Sequence, residues 1–328
     1  MKRVISYSIL MITLLTTIFF FSRSVIHQKK MDQELTVRLE QALLAEKERV
    51  VFVKTLPVFS SDQISENQIA DPITYLSRGD QIFLIEEGSF YSLVESKEKN
   101  ISGFVWKDCI GKMPEDGRIP PRVIVIDAGG QRKADLKKEP IEPKSDTMVE
   151  RMREGAIGSS TNGKEYEITL AVAKNLEKEL ENYNFVVVQI RRSMDVSISN
   201  VERANLANQI EADVFLQLYG NCAKDLDKKG AETYYAEKEE TDISKNLAEF
   251  VLTGYTDAIE VIPKNIAEKS KEYSALNWCK MPAIVLKLGY LSNTEEEVYL
   301  NDAKMQKVMG KGIASGLLTY FATSTKLD

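Results

Sequence analysis

The chain begins with a long apolar run. From Val4 to Phe21, about 18 residues near the minimum for spanning a bilayer, the only polar atoms are hydroxyls, and Lys2 and Arg3 precede the run. A cleaved leader would show a shorter apolar core and a small-residue site. This run ends instead in Phe19-Phe20-Phe21, so residues 1–28 are expected to form an uncleaved signal anchor crossing the membrane. Arg23, Lys29 and Lys30 follow it, so charge bias across the segment nearly ties. Residues 29–50 lack Pro and Gly and place Leu35, Leu39, Ala42 and Leu43 at helical spacing, which predicts a helical stalk.

The period then changes. Over 51–113 the runs "VFVKTLPVFSS", "DPITYLSRGDQIFLIEE", "SFYSLVES" and "SGFVWKDCI" are short and β-like, with turn residues between them. They predict a small all-β barrel. Residues 114–121 read as a polar, Pro-rich linker. From 122 to 322 continuous apolar strands alternate with amphipathic helices. "RVIVIDAGG", "NFVVVQIRR", "DVFLQLYGN", "AETYYAE" and "PAIVLKLGYLSN" are the strands. The helix after the first strand carries Ile168, Ala171, Val172, Leu176 and Leu180 on one side. This alternation predicts an α/β domain, a twisted and mostly parallel sheet flanked by helices.

Composition narrows the chemistry. The 328 residues carry 43 Lys and Arg against 49 Asp and Glu, a net charge of −6 with no basic stripe, which argues against nucleic acid as a partner. Cys109, Cys222 and Cys279 are too few and too widely spaced for a disulfide framework. No CxxC, HExxH or GxxxxGK[ST] motif occurs, and the one histidine, His27, is far from any strand end. The stretch "VIVIDAGGQ" ends a buried strand in an acid and two glycines, the kind of strand end where α/β proteins hold ligands.

Two resemblances follow from these residues. The Gly-Asp turn before "QIFLIEE", the pair Phe90-Tyr91 and the closing "GFVWKDCI" resemble a bacterial SH3-like domain, which implies binding to cell-wall peptides or scaffolding. In order, "VIVIDAGGQ", "KEYEITLAVAKNLEKEL", "VERANLAN", "EADVFLQLYGN", "GAETYY" and "MPAIVLKLGYLSN" resemble the zinc-dependent N-acetylmuramoyl-L-alanine amidases of amidase family 3. That family hydrolyses the lactyl-amide bond between glycan and stem peptide. The resemblance implies zinc held by two histidines and a glutamate, with one open position and a second glutamate as general base. Carried onto this chain, the first histidine falls on Gly130, the ligand glutamate on Glu165, the second histidine on Tyr219 and the base on Lys287. Only Glu165 is retained. A substitute set drawn from Glu165, Asp127 and Cys222 has no spacing to fix it, and a phenol is a poor ligand near neutral pH.

Lys287 alternates with Val285 and Gly289 on one face of its strand, and a lysine there is costly unless paired. An ion pair between Lys287 and Glu165 is therefore expected where zinc would sit. The polar segment 132–164 is expected as a long loop lining the groove. Taken together, the resemblance implies a membrane-anchored, extracytoplasmic protein of the bacterial cytoplasmic membrane. It would be catalytically inactive, without cofactor, and act in peptidoglycan or muropeptide binding or regulation, with room for another cell-wall protein as partner. Two alternatives stand: an active zinc-dependent amidase, and a scaffold or partner protein of a wall machine.

Overall fold

The computed structural model describes the backbone of residues 2–61, 71–236 and 241–324, and side chains from Phe21 onward in these ranges except Ser24 and Thr241. The chain divides into two units, Met1–Glu48 and Arg49–Asp328.

The first unit is one continuous helix, α1 (Lys2–Lys47). The membrane-spanning anchor expected over 1–28 is corrected here, and with it the single-pass placement in the cytoplasmic membrane and the membrane as partner. Among the described residues no helix is long and apolar enough to cross a membrane. A spanning helix needs about 20 consecutive, predominantly apolar residues. The described part of α1 instead exposes Arg23, Lys29, Lys30 and Asp32, while most side chains of the apolar run lie outside the described residues.

The second unit begins with short antiparallel elements: β1 (Glu48–Val51), β2 (Thr55–Val58), β3 (Thr74–Ser77), β4 (Gln81–Glu87), β5 (Tyr91–Ser96), β6 (Ile101–Trp106) and β7 (Ile110–Gly111). Five of them form a sheet in the order β6-β5-β4-β1-β7, and β2 pairs with β3. Gly79, with φ of 90°, makes the turn between β3 and β4 that a side chain would strain.

The α/β part follows. Its elements are β8 (Arg122–Ala128), a hairpin of β9 (Asp135–Pro140) and β10 (Met148–Met152), α2 (Glu165–Leu180), β11 (Phe185–Gln189), α3 (Asn200–Gln209) and β12 (Val214–Asn221). Then come β13 (Ala231–Ala236), α4 (Thr241–Ala258), β14 (Lys264–Ser270), α5 (Ser274–Trp278), β15 (Ala283–Tyr290), α6 (Thr294–Asn301) and α7 (Ala303–Ser324). The main sheet runs β11-β8-β12-β15-β13-β14. Its first four strands are parallel, and β13 is antiparallel to β15.

Side-chain alternation sends each strand's residues to two different cores. Ile124, Ile126, Leu216, Leu218, Ile284 and Leu286 meet α2, α4 and α7 on one face. Val123, Val125, Val188, Phe215 and Val285 join the other core, which includes α3, α5 and also Val51, Leu56, Phe59 and Trp106 of the all-β part. Polar bridges reinforce this junction. Asp108 accepts from the Gln189 N–H at 3.1 Å and pairs with Arg192, which also holds Glu177. Arg78 donates to the carbonyls of Ile119 and Pro120, within the stretch expected as a polar, Pro-rich linker.

At the end of β8 lies an ion pair between Asp127 and Arg203, both fully buried. Asp127 also accepts from Gln217 Nε2 at 2.7 Å, and Arg203 donates to the Ile198 carbonyl and Gln131 Oε1. Breaking such a pair from one side leaves a buried charge unmatched and costs about 3–5 kcal/mol. Arg203→Met is expected to lower unfolding free energy by that amount, and adding Asp127→Leu to recover much of it. Denaturant titration of the three variants checks this, and a loss below about 1 kcal/mol for Arg203→Met would show the charge to be compensated elsewhere.

Candidate functional site

The carboxyl ends of the parallel strands are where a sheet of this kind opens a crevice. Here β8 runs into Gly129-Gly130, β12 into Tyr219-Gly220-Asn221, and β15 presents Lys287, which is the register partner of Tyr219 and, on the other side, of Glu232 in β13. Glu165 is the first residue of α2. Gly130, Glu165, Tyr219 and Lys287 all line one cavity of about 760 Å³. The four positions singled out from sequence are therefore brought together. The cavity's remaining wall comes from the β9–β10 hairpin, Asn200 at the start of α3 and Tyr273 before α5.

Each residue is held by identifiable contacts. Gly130 has φ of 73°, a left-handed backbone that favours glycine although a Cβ there would meet only Tyr166, at 3.6 Å. Gly129 is needed for space: a Cβ would lie 2.4 Å from the Leu218 carbonyl and 2.6 Å from the Tyr219 ring. Glu165 is buried, and both its oxygens are engaged by the backbone. Oε1 accepts from the Gly220 N–H at 2.8 Å and Oε2 from the Ala156 N–H at 2.7 Å. Burial pushes its carboxyl upward, opposed by the Lys287 ammonium, the two N–H donors and Arg191.

Lys287 Nζ donates to the Gly220 carbonyl at 3.0 Å and lies 4.6 Å from the centre of the Tyr219 ring. It forms no direct salt bridge with Glu165. The expected contact is replaced by a bridge: the carboxylate takes the N–H of Gly220, and the ammonium takes that residue's C=O. The reason is local. Backbone donors already occupy both oxygens of Glu165, and the face of Tyr219 attracts the ammonium, worth about 0.5–2 kcal/mol. The charges still sense one another. Burial pushes Lys287 down, while Glu165 and Glu232 push it back up. Glu232 in turn accepts from Asn221 Nδ2 and from the hydroxyls of Tyr234 and Tyr290. Burial also raises the Tyr219 phenol well above its ordinary value.

The donors present do not suit a metal. Gly130 offers no side chain, Tyr219 stays protonated, Glu165 is engaged on both oxygens, and an ammonium shares the cavity with them. Asp127 is committed to Arg203 and Gln217, Cys222 is exposed at the rim and Cys279 is buried elsewhere. Among the described residues no three His, Cys, Asp or Glu side chains are grouped to hold a metal ion.

Segment 132–164 is more ordered than a loop. Sequence reasoning missed the β9–β10 hairpin, whose alternation in "DLKKEP" and "MVERM" is short and interrupted by charge. It also missed Asn200, Glu232 and Tyr273, which lie far apart along the chain. The rest of the segment is pinned at two ends. Glu165 binds it at Ala156, and the fully buried Glu297 of α6 accepts from the N–H and hydroxyl of both Ser160 and Thr161.

These four donors hold the Glu297 carboxyl down at about 2, overcoming the burial that acts against it. The sign follows directly. A carboxyl lowered on folding contributes stability that is complete above its unfolded value, near 4.5, and is lost as pH falls toward about 2. Glu297→Gln is expected to cost about 1.5–3 kcal/mol at neutral pH and to flatten the acid limb of the stability profile between those values. Denaturant midpoints measured across that pH range check both effects.

With the geometry in place, similarity to known proteins can be stated. A family model described as N-acetylmuramoyl-L-alanine amidase matches residues 124–319. N-acetylmuramoyl-L-alanine amidase LytC of Bacillus subtilis (strain 168) is 26% identical over 167 residues, 51% of this chain and 33% of that protein. Probable cell wall amidase LytH of Staphylococcus epidermidis is 27% identical over 167 residues, 50% of this chain and 53% of its own length. The chain thus spans between a third and about half of these curated relatives. Among solved structures, the catalytic domain of the amidase CwlV from Bacillus (Paenibacillus) polymyxa is 27% identical with a TM-score of 0.51, covering 61% of this chain and 98% of that one. The amidase from Clostridium difficile 630 is 26% identical with a TM-score of 0.53, covering 62% and 98%.

Proposed function

The chain belongs to the N-acetylmuramoyl-L-alanine amidase family, and from that premise we propose that it is a cell-wall protein that binds peptidoglycan or muropeptides in its amidase cavity without hydrolysing them. One observation carries the reading. At the four positions where the family's zinc chemistry is expected, the chain has Gly130, Tyr219 and Lys287 beside a single retained carboxylate, Glu165, and these four line the same cavity. An ammonium near that carboxylate repels a divalent cation and supplies the positive charge that a metal would otherwise bring. A lysine whose partners are a carbonyl and an aromatic face can hold and orient a polar ligand. As an ammonium it has no lone pair with which to accept a proton as the family's carboxylate base does.

The cavity itself supports retained binding. At about 760 Å³, with polar groups from Asn200, Gln217 and Asn221 among its walls, it has the size and mixed lining of a ligand site. We read the all-β part, 51–113, as the SH3-like domain of the same wall-directed protein. Its antiparallel sheet and its aromatic cluster of Phe59, Tyr91 and Trp106 support that reading.

The competing reading is a working zinc amidase, favoured by the retained Glu165 and by the activity named for the relatives. Metal content separates the two. The purified chain, incubated with zinc and desalted, is expected to keep less than a tenth of an equivalent and to leave muropeptides uncut while still binding them. A stoichiometric zinc that Glu165→Ala removes, together with release of stem peptide, would overturn the proposal.

A further inference from the structure

The β9–β10 hairpin is built unlike the rest of the second unit. Its two strands pair with each other, outside the main sheet, and a two-stranded hairpin alone is marginal in water. None of its residues from Asp135 to Met152 belongs to either hydrophobic core. Its two roots are fastened. Gln131 accepts from Arg203, the Arg132 N–H donates to the Met194 carbonyl at 3.2 Å, and Ala156 is held by Glu165. Between the roots, Ile141, Val149, Glu150 and Met152 form a wall of the cavity that holds Glu165 and Lys287.

The described fastenings of the hairpin to α3 and α5 are polar. The Trp278 indole N–H donates to the Pro140 carbonyl at 3.0 Å, and Asn277 Nδ2 donates to the Ile141 carbonyl at 3.2 Å. Arg151 bridges Asp135 of its own hairpin, at 3.3 Å, to Glu202 of α3, at 2.8 Å. Glu139 is buried against α3, where it accepts from the Val201 N–H at 3.2 Å and from the Ser199 hydroxyl. Val201 lies in the first turn of α3, whose N–H groups have no partner within the helix. Lys137, Lys138 and Lys280 line the space beside this cluster, and Lys138 is paired with Glu150.

An ionised Glu139 is poorly matched in this place. Its backbone hydrogen bond is at the long end of the range, and the nearby guanidinium of Arg151 is already engaged by Asp135 and Glu202. Burying a charge so matched is costly, whereas the neutral acid can still accept from Val201 through its carbonyl oxygen. We propose that the hairpin is a lid over the cavity, latched by Glu139 at the N-terminus of α3, and that ionisation of this carboxyl releases it. Burial pushes the Glu139 carboxyl up to about 7, helped by Glu202 and opposed by its two hydrogen bonds and by Arg151. In a raised hairpin it returns toward its ordinary value of 4.5. A carboxyl raised on docking favours the docked form when neutral. Its contribution is therefore complete below about 4.5 and is lost as pH rises through about 7. Acid closes the lid, and neutral pH loosens it. The latch rests on the hairpin's own contacts, whereas the choice of a muropeptide as what passes the lid rests on the wall-binding reading above.

The test is hydrogen exchange of the full chain, read by mass spectrometry at about pH 5.5 and about pH 7.5 and corrected for the intrinsic rate at each. Amides of β9 and β10 are expected to lose about tenfold in protection over that interval, across most of which the carboxyl titrates, while those of β8 and β12 keep theirs. Glu139→Gln, which keeps the shape and cannot ionise, is expected to leave the hairpin protected at both pH values. Trp278→Phe, which removes a fastening and leaves the carboxyl, is expected to lower protection at both and to keep the pH dependence. Muropeptide association, followed by stopped flow at the higher pH, is expected to be severalfold faster for the unaltered chain than for Glu139→Gln. Protection of the hairpin that does not change with pH, or that changes equally in Glu139→Gln, overturns the latch. Equal association rates in two chains whose hairpins exchange differently overturn the lid. A hairpin that responds as expected in a chain that binds no muropeptide overturns the wall-binding reading and leaves the latch standing.

Discussion

The end of β8 is held by two buried guanidinium groups, and the arrangement of the cavity depends on them. Arg203 neutralises Asp127 with both side chains sealed from solvent. Arg191 donates to the carbonyls of Ala128, Gly129, Tyr166 and Ser193 and to the Thr169 hydroxyl. These are groups that a turn leaving a sheet and the start of a helix would otherwise leave unmatched. With that turn fixed, Gly129 can lie against Tyr219 and α2 can bring Glu165 under Gly220. Arg191 feels the strain of burial: desolvation and the nearby Arg203 pull it down to about 10, against the attraction of Asp127, Tyr219 and Glu165. Such a network is stable only when every member is satisfied.

Within the cavity, one residue mediates between opposite charges. The N–H of Gly220 faces a carboxylate and its C=O faces an ammonium, so each of the two adjacent peptide groups that meet at Gly220 turns its dipole toward a charge of opposite sign. Two charges that would each be costly to bury are thereby matched without touching. The arrangement leaves the ammonium with hydrogen-bonding capacity beyond the single carbonyl it contacts.

Much of this was legible from sequence because it rested on period and order. The strands at 122–128, 185–189, 214–221 and 283–290 are apolar runs covered on both faces, and such runs announce themselves. The four positions around the cavity followed from motif order, and the fold gathers them as that order implies. The β9–β10 hairpin did not show because its strands are polar on the outside and lie outside the main sheet. The Glu165–Lys287 contact was misjudged for a related reason: sequence gives the charges but not the backbone donors that compete for them. Similarly, the apolar run at the N-terminus had the composition of a span, but it belongs to a helix that continues through charged residues.

The continuity between the all-β part and the main sheet has a consequence for cooperativity. Val123, Val125 and Val188 share one core with Leu56, Phe59 and Trp106, so a boundary that is plain in composition near residue 120 is not a boundary in free energy. Cutting there would expose the apolar face of a parallel sheet, a surface that such sheets do not leave open to water. The two parts should therefore melt in a single transition and turn as one body, and a ligand held by either would be held at a fixed orientation to the other.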